Sequence, residues 1–185
     1  MRMRVFSLVL IAASVALVGC GGDPPTADLN AVKQALDAAR AAGAERFASS
    51  DYSAAQSAYN QAESTVNSES EKLFKNFEQA ASQIADAKSK ADRAKSEAGS
   101  EKNRQKGSAD GIIAAADAAI AAARLSLDGA PAGKGTEADI EQLHADLSGA
   151  DADLSAARSA VGSENFADAE TKAKNADQKA GQVAN

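Results

Sequence analysis

Reactive and rigid side chains are scarce in this sequence of 185 residues. It has one cysteine, one histidine, three prolines and no tryptophan, and aromatic residues make up 4% of it. A lone cysteine cannot form an internal disulfide, and if Cys20 is modified, cysteine nucleophiles and cysteine metal ligands are excluded as well. Alanine, by contrast, accounts for about a quarter of the residues, which favours helices that pack through small side chains.

Basic side chains are also fewer than acidic ones. The chain carries 20 basic and 26 acidic side chains, a net charge of -6 at pH 7. Removing residues 1–19 would take away two arginines and no acid, which leaves 18 basic and 26 acidic groups and a charge of -8. An acidic chain of this kind argues against a nucleic-acid partner and against purely electrostatic binding to anionic lipid.

The first 19 residues have the pattern of a secretory signal peptide. Arg2 and Arg4 precede an apolar run from Val5 to Val18. That run is too short to cross a bilayer as a helix, which needs about 20 apolar residues. We therefore predict a signal peptide over residues 1–19.

The end of this segment, Leu17-Val18-Gly19-Cys20, resembles the lipobox of bacterial lipoproteins. The resemblance implies that a signal peptidase recognises Leu17, Val18 and Gly19, that Cys20 becomes the first mature residue, and that it carries two or three acyl chains. Such a set of chains anchors a protein stably, whereas one chain does so only marginally. The alternatives are an ordinary signal peptide with an incidental cysteine and an uncleaved anchor. The residue after the cysteine is Gly21 and not an aspartate. In this the chain resembles enterobacterial lipoproteins of the outer membrane. We therefore expect an outer-membrane anchor facing the periplasm, unless the host sorts lipoproteins differently.

Beyond a tether over residues 20–25, apolar residues recur at spacings of three and four, the period of amphipathic helices. We predict a first helix from an N-cap at Thr26 to about Phe47, and a second that ends at Asn67-Ser68. A third begins near Glu71 and carries Leu73 and Phe77 on its apolar stripe. Later stripes start at Ile112, Ile140 and Phe166, and Thr136 with Asp139 looks like a capping pair.

Residues 99–110 form a polar segment bounded by glycines, each of which costs a helix about 1 kcal/mol relative to alanine. The helix could bend, break or run through here, and we favour a largely helical connection with a weak point. The predicted fold is all-α, an elongated antiparallel helical bundle or coiled coil. It has two three-helix units, residues 26–98 and 111–185, joined by residues 99–110. The core candidates are the large apolar residues of the stripes: Leu36, Tyr59, Phe77, Ile84, Ile120, Leu143, Leu147, Leu154 and Phe166.

An aromatic residue followed by residues three, seven and ten places on occurs in three helices, starting at Tyr52, Phe77 and Phe166. An internal duplication would explain it, and so would the self-similarity of any alanine-rich heptad sequence. The version from Tyr52 to Ala62 resembles the second helix of a tetratricopeptide repeat, although its spacing to Phe77 is 25 rather than about 34 residues. A broader likeness is to alanine-rich helical domains of unknown function in bacterial envelope lipoproteins. That likeness implies no catalytic residues.

Chemistry-bearing motifs are weak. The segment from Gly129 to Thr136 superficially resembles a phosphate-binding loop, but it is one residue short and follows a helix, so we interpret it as an interhelical loop. His144 has no second histidine or cysteine to complete a metal site and is interpreted as a surface or boundary residue. Asp146, Asp151 and Asp153 lack the spacing of a calcium loop and are interpreted as a solvated face. We expect no catalytic residue, no metal and no cofactor.

These features predict a non-enzymatic, membrane-anchored lipoprotein that acts as a structural or protein-interaction element of the bacterial envelope. Its expected partners are the membrane, through the lipid on Cys20, and an envelope protein. The alternative is a periplasmic chaperone or an accessory subunit of a transport or assembly complex, which would need an exposed apolar groove. A third possibility is that the stripes are completed by self-association.

Overall fold

The computed structural model describes residues 23–130 and 137–184, and all regular elements within them are helices. These are α1 (Thr26–Ala41), α2 (Ala44–Phe47), α3 (Ser49–Ser70), α4 (Glu78–Asp128), α5 (Glu137–Gly162) and α6 (Phe166–Ala184). The prediction of an all-α helical bundle is confirmed. The predicted capping pair includes Thr136, which lies outside the described residues.

Helix α4 is the element on which the other helices assemble. It contains 51 residues, so it is about 76 Å long at 1.5 Å per residue. Helices α1 and α3 pack against its first half, and α5 and α6 against its second half, so that α4 contacts every other helix. Interhelical ion pairs mark the register: Arg93 lies 3.3 Å from Asp51 of α3, and Arg158 of α5 lies 3.1 Å from Asp117.

Two antiparallel hairpins therefore meet near the middle of α4. The turn between α1 and α3 and the turn between α5 and α6 face each other there, because Arg46 of the first turn donates a hydrogen bond to the carbonyl oxygen of Glu164 in the second. Helix α1 runs from that point back along α3, so Thr26 lies toward the same end of the bundle as the α3–α4 loop, residues 71–77. The carboxyl end of α4 lies at the opposite end.

The polar segment 99–110 is helical throughout, so α4 runs through it without a break. Within it Gln105 donates a hydrogen bond to Glu101 at 2.7 Å, and Lys106 donates one to Asp110 at 2.5 Å. Side-chain pairs four residues apart stabilise a helix, and here they act in a segment that Gly107 would otherwise weaken. Apart from neighbouring residues of its own helix, no atom lies within 4 Å of the position that a Cβ would take at Gly107, so no other helix approaches closely at this glycine.

The apolar core consists of two clusters of buried side chains. In α4 the buried stripe runs through Ala80, Ile84, Ala87, Ala91, Ala94 and Ala98, stops, and resumes at Ala109. Ala160, Phe166 and Ala169 belong to α5 and α6 but are buried in the first cluster. The second hairpin therefore contributes to the core of the first, and the division into two units at residues 99–110 stays a prediction.

Six of the nine core candidates are buried, and the other three are less buried than predicted. Leu36, Ile84, Ile120, Leu147, Leu154 and Phe166 are buried, whereas Tyr59, Phe77 and Leu143 are only partly buried at the edges of the clusters. Tyr59 stays at the edge with its hydroxyl donating a hydrogen bond to Glu63 at 3.1 Å. Partial burial, followed by this hydrogen bond, raises the pKa of Tyr59.

The predicted helix limits also need correction. The first helix ends at Ala41 rather than near Phe47, since Gly43 has a φ of 85°, which favours glycine and ends the helix. Thr26 is the first helical residue and not an N-cap; no side chain caps this terminus. The second helix continues past Asn67-Ser68 to Ser70. The third begins at Glu78, not near Glu71.

Candidate functional site

The predicted lipidation site, Cys20, and the peptidase recognition residues Leu17, Val18 and Gly19 lie outside the described residues. The first residue that the structure describes is Asp23, three residues before α1. The start of α1 therefore marks the end of the bundle at which residues 23–25 join the first helix. We call that end, formed by residues 23–29 and the α3–α4 loop, the loop end.

The α3–α4 loop is held by hydrogen bonds at both of its edges. The backbone amide of Lys72 donates to the carbonyl oxygen of Glu69 at 3.2 Å and closes α3. On the other side the amide of Glu78 donates to Oδ1 of Asn76 at 2.9 Å, which satisfies one free donor at the start of α4. These two contacts set the short span between the helices, and the side chains between them point away from the core.

Leu73 and Phe74 are the apolar tip of this loop. Leu73 is 97% exposed and Phe74 is 92% exposed, while the partly buried Phe77 packs against the first core cluster. In the described parts of the chain, the one other exposed large hydrophobic residue is Leu125, at 75%, near the opposite end of α4. Two adjacent, almost fully exposed large apolar side chains form an apolar patch, a feature that makes this loop a candidate contact surface.

Charged side chains surround the tip. Lys72 pairs with Glu69 at 2.6 Å, and this hydrogen bond is the main cause that holds the pKa of Glu69 below its ordinary value. Lys75, Glu71 and Glu78 are exposed. The tip is therefore a small apolar projection with a polar rim that contains both signs of charge.

A second cluster, which we call the waist, lies where the two hairpin turns meet beside α4. The rings of Phe47 and Phe166 have centroids 6.0 Å apart. Lys102 of α4 forms an ion pair with Glu164, and Arg46 lies over the Phe47 ring with its guanidinium carbon 4.5 Å from the centroid. The waist uses side chains of the polar segment to join the hairpins, so its residues are occupied by internal contacts.

A hollow of about 230 Å³ lies near the carboxyl end of α4. It is lined by Leu127, Leu147 and the exposed His144, together with Arg124, which pairs with Asp151. The three aspartates interpreted as a solvated face are all partly exposed, and two of them form ion pairs across helices. Asp151 and Asp153 bind Arg124 and Lys179 of neighbouring helices, the second pair at 2.7 Å.

The third aspartate of that set, Asp146, accepts a hydrogen bond from Gln142 on its own helix at 3.0 Å. Over residues 23–130 and 137–184, no three histidine, cysteine or carboxylate side chains are grouped so that they could hold a metal ion. Likewise, none of the helices described is long and apolar enough to cross a membrane.

Sequence reasoning missed the exposed tip. It assigned Leu73 to a buried stripe and did not single out Phe74. The spacing gave no warning, because Leu73 and Phe77 continue the heptad stripe that runs from Val66 to Ala80.

Comparison with known proteins adds no relative. No protein-family model, curated protein or solved structure matches this chain. The functional interpretation therefore rests on the motif at Cys20 and on the geometry of the loop end, the waist and the hollow.

Proposed function

We propose that the protein is a lipid-anchored helical lipoprotein of the bacterial envelope, held in the outer membrane on the periplasmic side, and that it acts as a structural or protein-interaction element without enzymatic activity. The observation that carries the proposal is the lipobox-like segment Leu17-Val18-Gly19-Cys20, which stands six residues ahead of the first helix. Acyl chains on Cys20 would attach the bundle by one end.

The shape of the bundle supports a role in presentation. Five helices pack along a sixth that is about 76 Å long. If the chain is anchored at the loop end, α5 and the carboxyl half of α4 stand farthest from the membrane. Their surfaces would then meet a partner in the periplasm while the lipid fixes the other end.

No observation favours the alternative of a chaperone or accessory binding subunit. Such a protein needs a continuous apolar groove for its client. The exposed large apolar side chains of residues 23–130 and 137–184 lie at opposite ends of the bundle, Leu73 and Phe74 at one and Leu125 at the other. They cannot line one groove.

Acylation is tested in a bacterial host with the full chain and a Cys20→Ala control. Cells are labelled with an alkyne fatty acid, and the mature amino-terminal peptide is identified by mass spectrometry. We expect a diacylated or triacylated Cys20 and membrane fractionation that is lost in the control. An unlabelled protein that keeps residues 1–19, or is cleaved elsewhere, contradicts the proposal.

Crosslinking in cells tests the interaction role. The acylated protein is crosslinked and its neighbours are identified by mass spectrometry, with the Cys20→Ala form as the unanchored control. A discrete envelope protein, captured by the anchored form and lost in the control, is the expected result. Crosslinks that join only copies of this chain would instead favour self-association.

A further inference from the structure

We propose that Leu73 and Phe74 insert into the same membrane leaflet as the acyl chains on Cys20, so that the bundle contacts the bilayer at two points. The inference rests on the proposed lipid anchor. It assigns a lipid surface as the occupant of the apolar tip, and it makes the tip responsible for the orientation of the bundle on the membrane.

Exposure is the first reason. Leu73 and Phe74 are 97% and 92% exposed, while Phe77, three residues later, packs against the core. The loop is tied at Lys72 and Asn76, so its tip cannot fold back while those hydrogen bonds persist. A lipid phase removes both side chains from water without any rearrangement of the bundle.

Distance is the second reason. Helix α1 has 16 residues and α3 has 22, and both extend from the waist toward the loop end. Six extra residues at 1.5 Å each make α3 about 9 Å longer than α1. The tether from Cys20 to Thr26 can span about 20 Å when extended. Its reach exceeds the difference, so the acyl chains and the tip can lie in one plane.

Charge distinguishes an apolar insertion from ionic adsorption. The mature chain would be acidic, and Lys72, which flanks the tip, is already paired with Glu69 at 2.6 Å. Lys75 on the other side is exposed, with a stem long enough to keep its ammonium group at the level of the lipid headgroups. The contact is therefore expected to depend on Leu73 and Phe74 and to be insensitive to salt.

A tryptophan reporter tests the insertion, since the sequence contains no tryptophan. Full-length Phe74→Trp is produced in a bacterial host, purified in its acylated form and reconstituted into phosphatidylethanolamine and phosphatidylglycerol vesicles. We expect a blue-shifted emission that is quenched by lipids brominated along their acyl chains. Leu125→Trp, an exposed site near the opposite end of α4, is the matched control and should emit as in water without quenching.

Three outcomes overturn the inference. Emission of Trp at position 74 that matches the control means that the tip stays in water. Equal quenching at positions 74 and 125 means that the bundle lies flat. A blue shift that depends on protein concentration and is not quenched by brominated lipid means that a second copy covers the tip.

The acyl mass of the Cys20 peptide is measured on the same preparation. This separates the two proposals. A protein that is not acylated contradicts the lipid anchor, whereas an acylated protein with an unquenched reporter at position 74 contradicts only the insertion of the tip. Salt titration of the vesicles provides a further check, because an ionic contact would weaken with added salt and an apolar one would not.

Discussion

The aromatic rings of Phe47 and Phe166 meet at the waist with their centroids 6.0 Å apart. Phe47 ends the short helix α2 of the first hairpin, and Phe166 begins α6 of the second. The pair thus joins two hairpins that are far apart in sequence, beside the polar segment of α4. Because most other buried residues here are alanines, these two rings supply a large part of the apolar area at the waist.

Replacing Phe166 by alanine should therefore be costly. Its side chain is only 2% exposed, and we expect the free energy of unfolding to fall by about 3 to 5 kcal/mol, the usual cost of removing a buried phenylalanine. Urea unfolding followed by circular dichroism measures the change. Leu125→Ala, an exposed site on α4, is the control and should alter stability by less than about 0.5 kcal/mol. Equal effects of the two substitutions would contradict a role for the ring pair.

Two glycine substitutions should act in opposite directions. Gly43 has a φ of 85°, and an added Cβ would lie 3.0 Å from a ring carbon of Phe47, so Gly43→Ala should lower the free energy of unfolding by about 1 to 2 kcal/mol. Gly107 is helical and has open space, so Gly107→Ala should raise it by about 0.5 to 1 kcal/mol. Thermal unfolding of both variants, compared with the native sequence, measures these two changes in stability. A loss of stability in Gly107→Ala would mean that this glycine has a contact or a local geometry other than the one described.

The apolar tip should contribute nothing to folding. The double substitution Leu73→Ser and Phe74→Ser removes two side chains that are almost fully exposed, so unfolding free energy in detergent-free buffer should change by less than about 0.5 kcal/mol. Phe77→Ala, in the same loop, removes a partly buried ring and should cost about 1 to 2 kcal/mol. A large loss in the double variant would show that the tip packs on the bundle and is not available to a membrane.

Acid should weaken the loop end through Glu69. The ion pair with Lys72 lowers the pKa of Glu69 in the folded protein. Its contribution is therefore present above the unfolded pKa and is lost as pH falls through the folded pKa. Urea titrations between neutral and acidic pH should give a flatter dependence for Glu69→Gln than for the native sequence. Parallel curves for the two proteins would rule out this pair as a source of the acid sensitivity.

Much of the fold could be predicted from local pattern. Spacings of three and four place Leu36, Ile84, Leu147 and Leu154 on buried faces, and all four are buried. The helix limits at the loop end could not be read in the same way. Leu73 and Phe77 fit a helical stripe, yet the chain leaves α3 after Ser70 and enters α4 only at Glu78. The interval between the helices depends on where α4 must lie to pack on α3, and periodicity carries no such information.

The same limit applies to the site. The segment Leu17-Val18-Gly19-Cys20 predicts a lipid anchor from residue identity alone. Nothing in the motif indicates what lies near the anchor. The exposed tip and its position at the end of the bundle from which the tether leaves follow from the pairing of α1 with α3. Asp151 and Asp153 likewise find their partners on other helices, where no pattern within α5 could place them.

The helical character of the chain follows from its composition and spacing, because alanine-rich stripes with few prolines bury their small apolar faces when helices pack together. Packing between the helices determines the rest: α4 runs unbroken through residues 99–110, the two hairpins meet through Phe47 and Phe166, and Leu73 and Phe74 remain exposed. Helix propensity is a local property of each segment. The course of α4 and the exposure of the tip depend on which surfaces are left for packing once the helices come together.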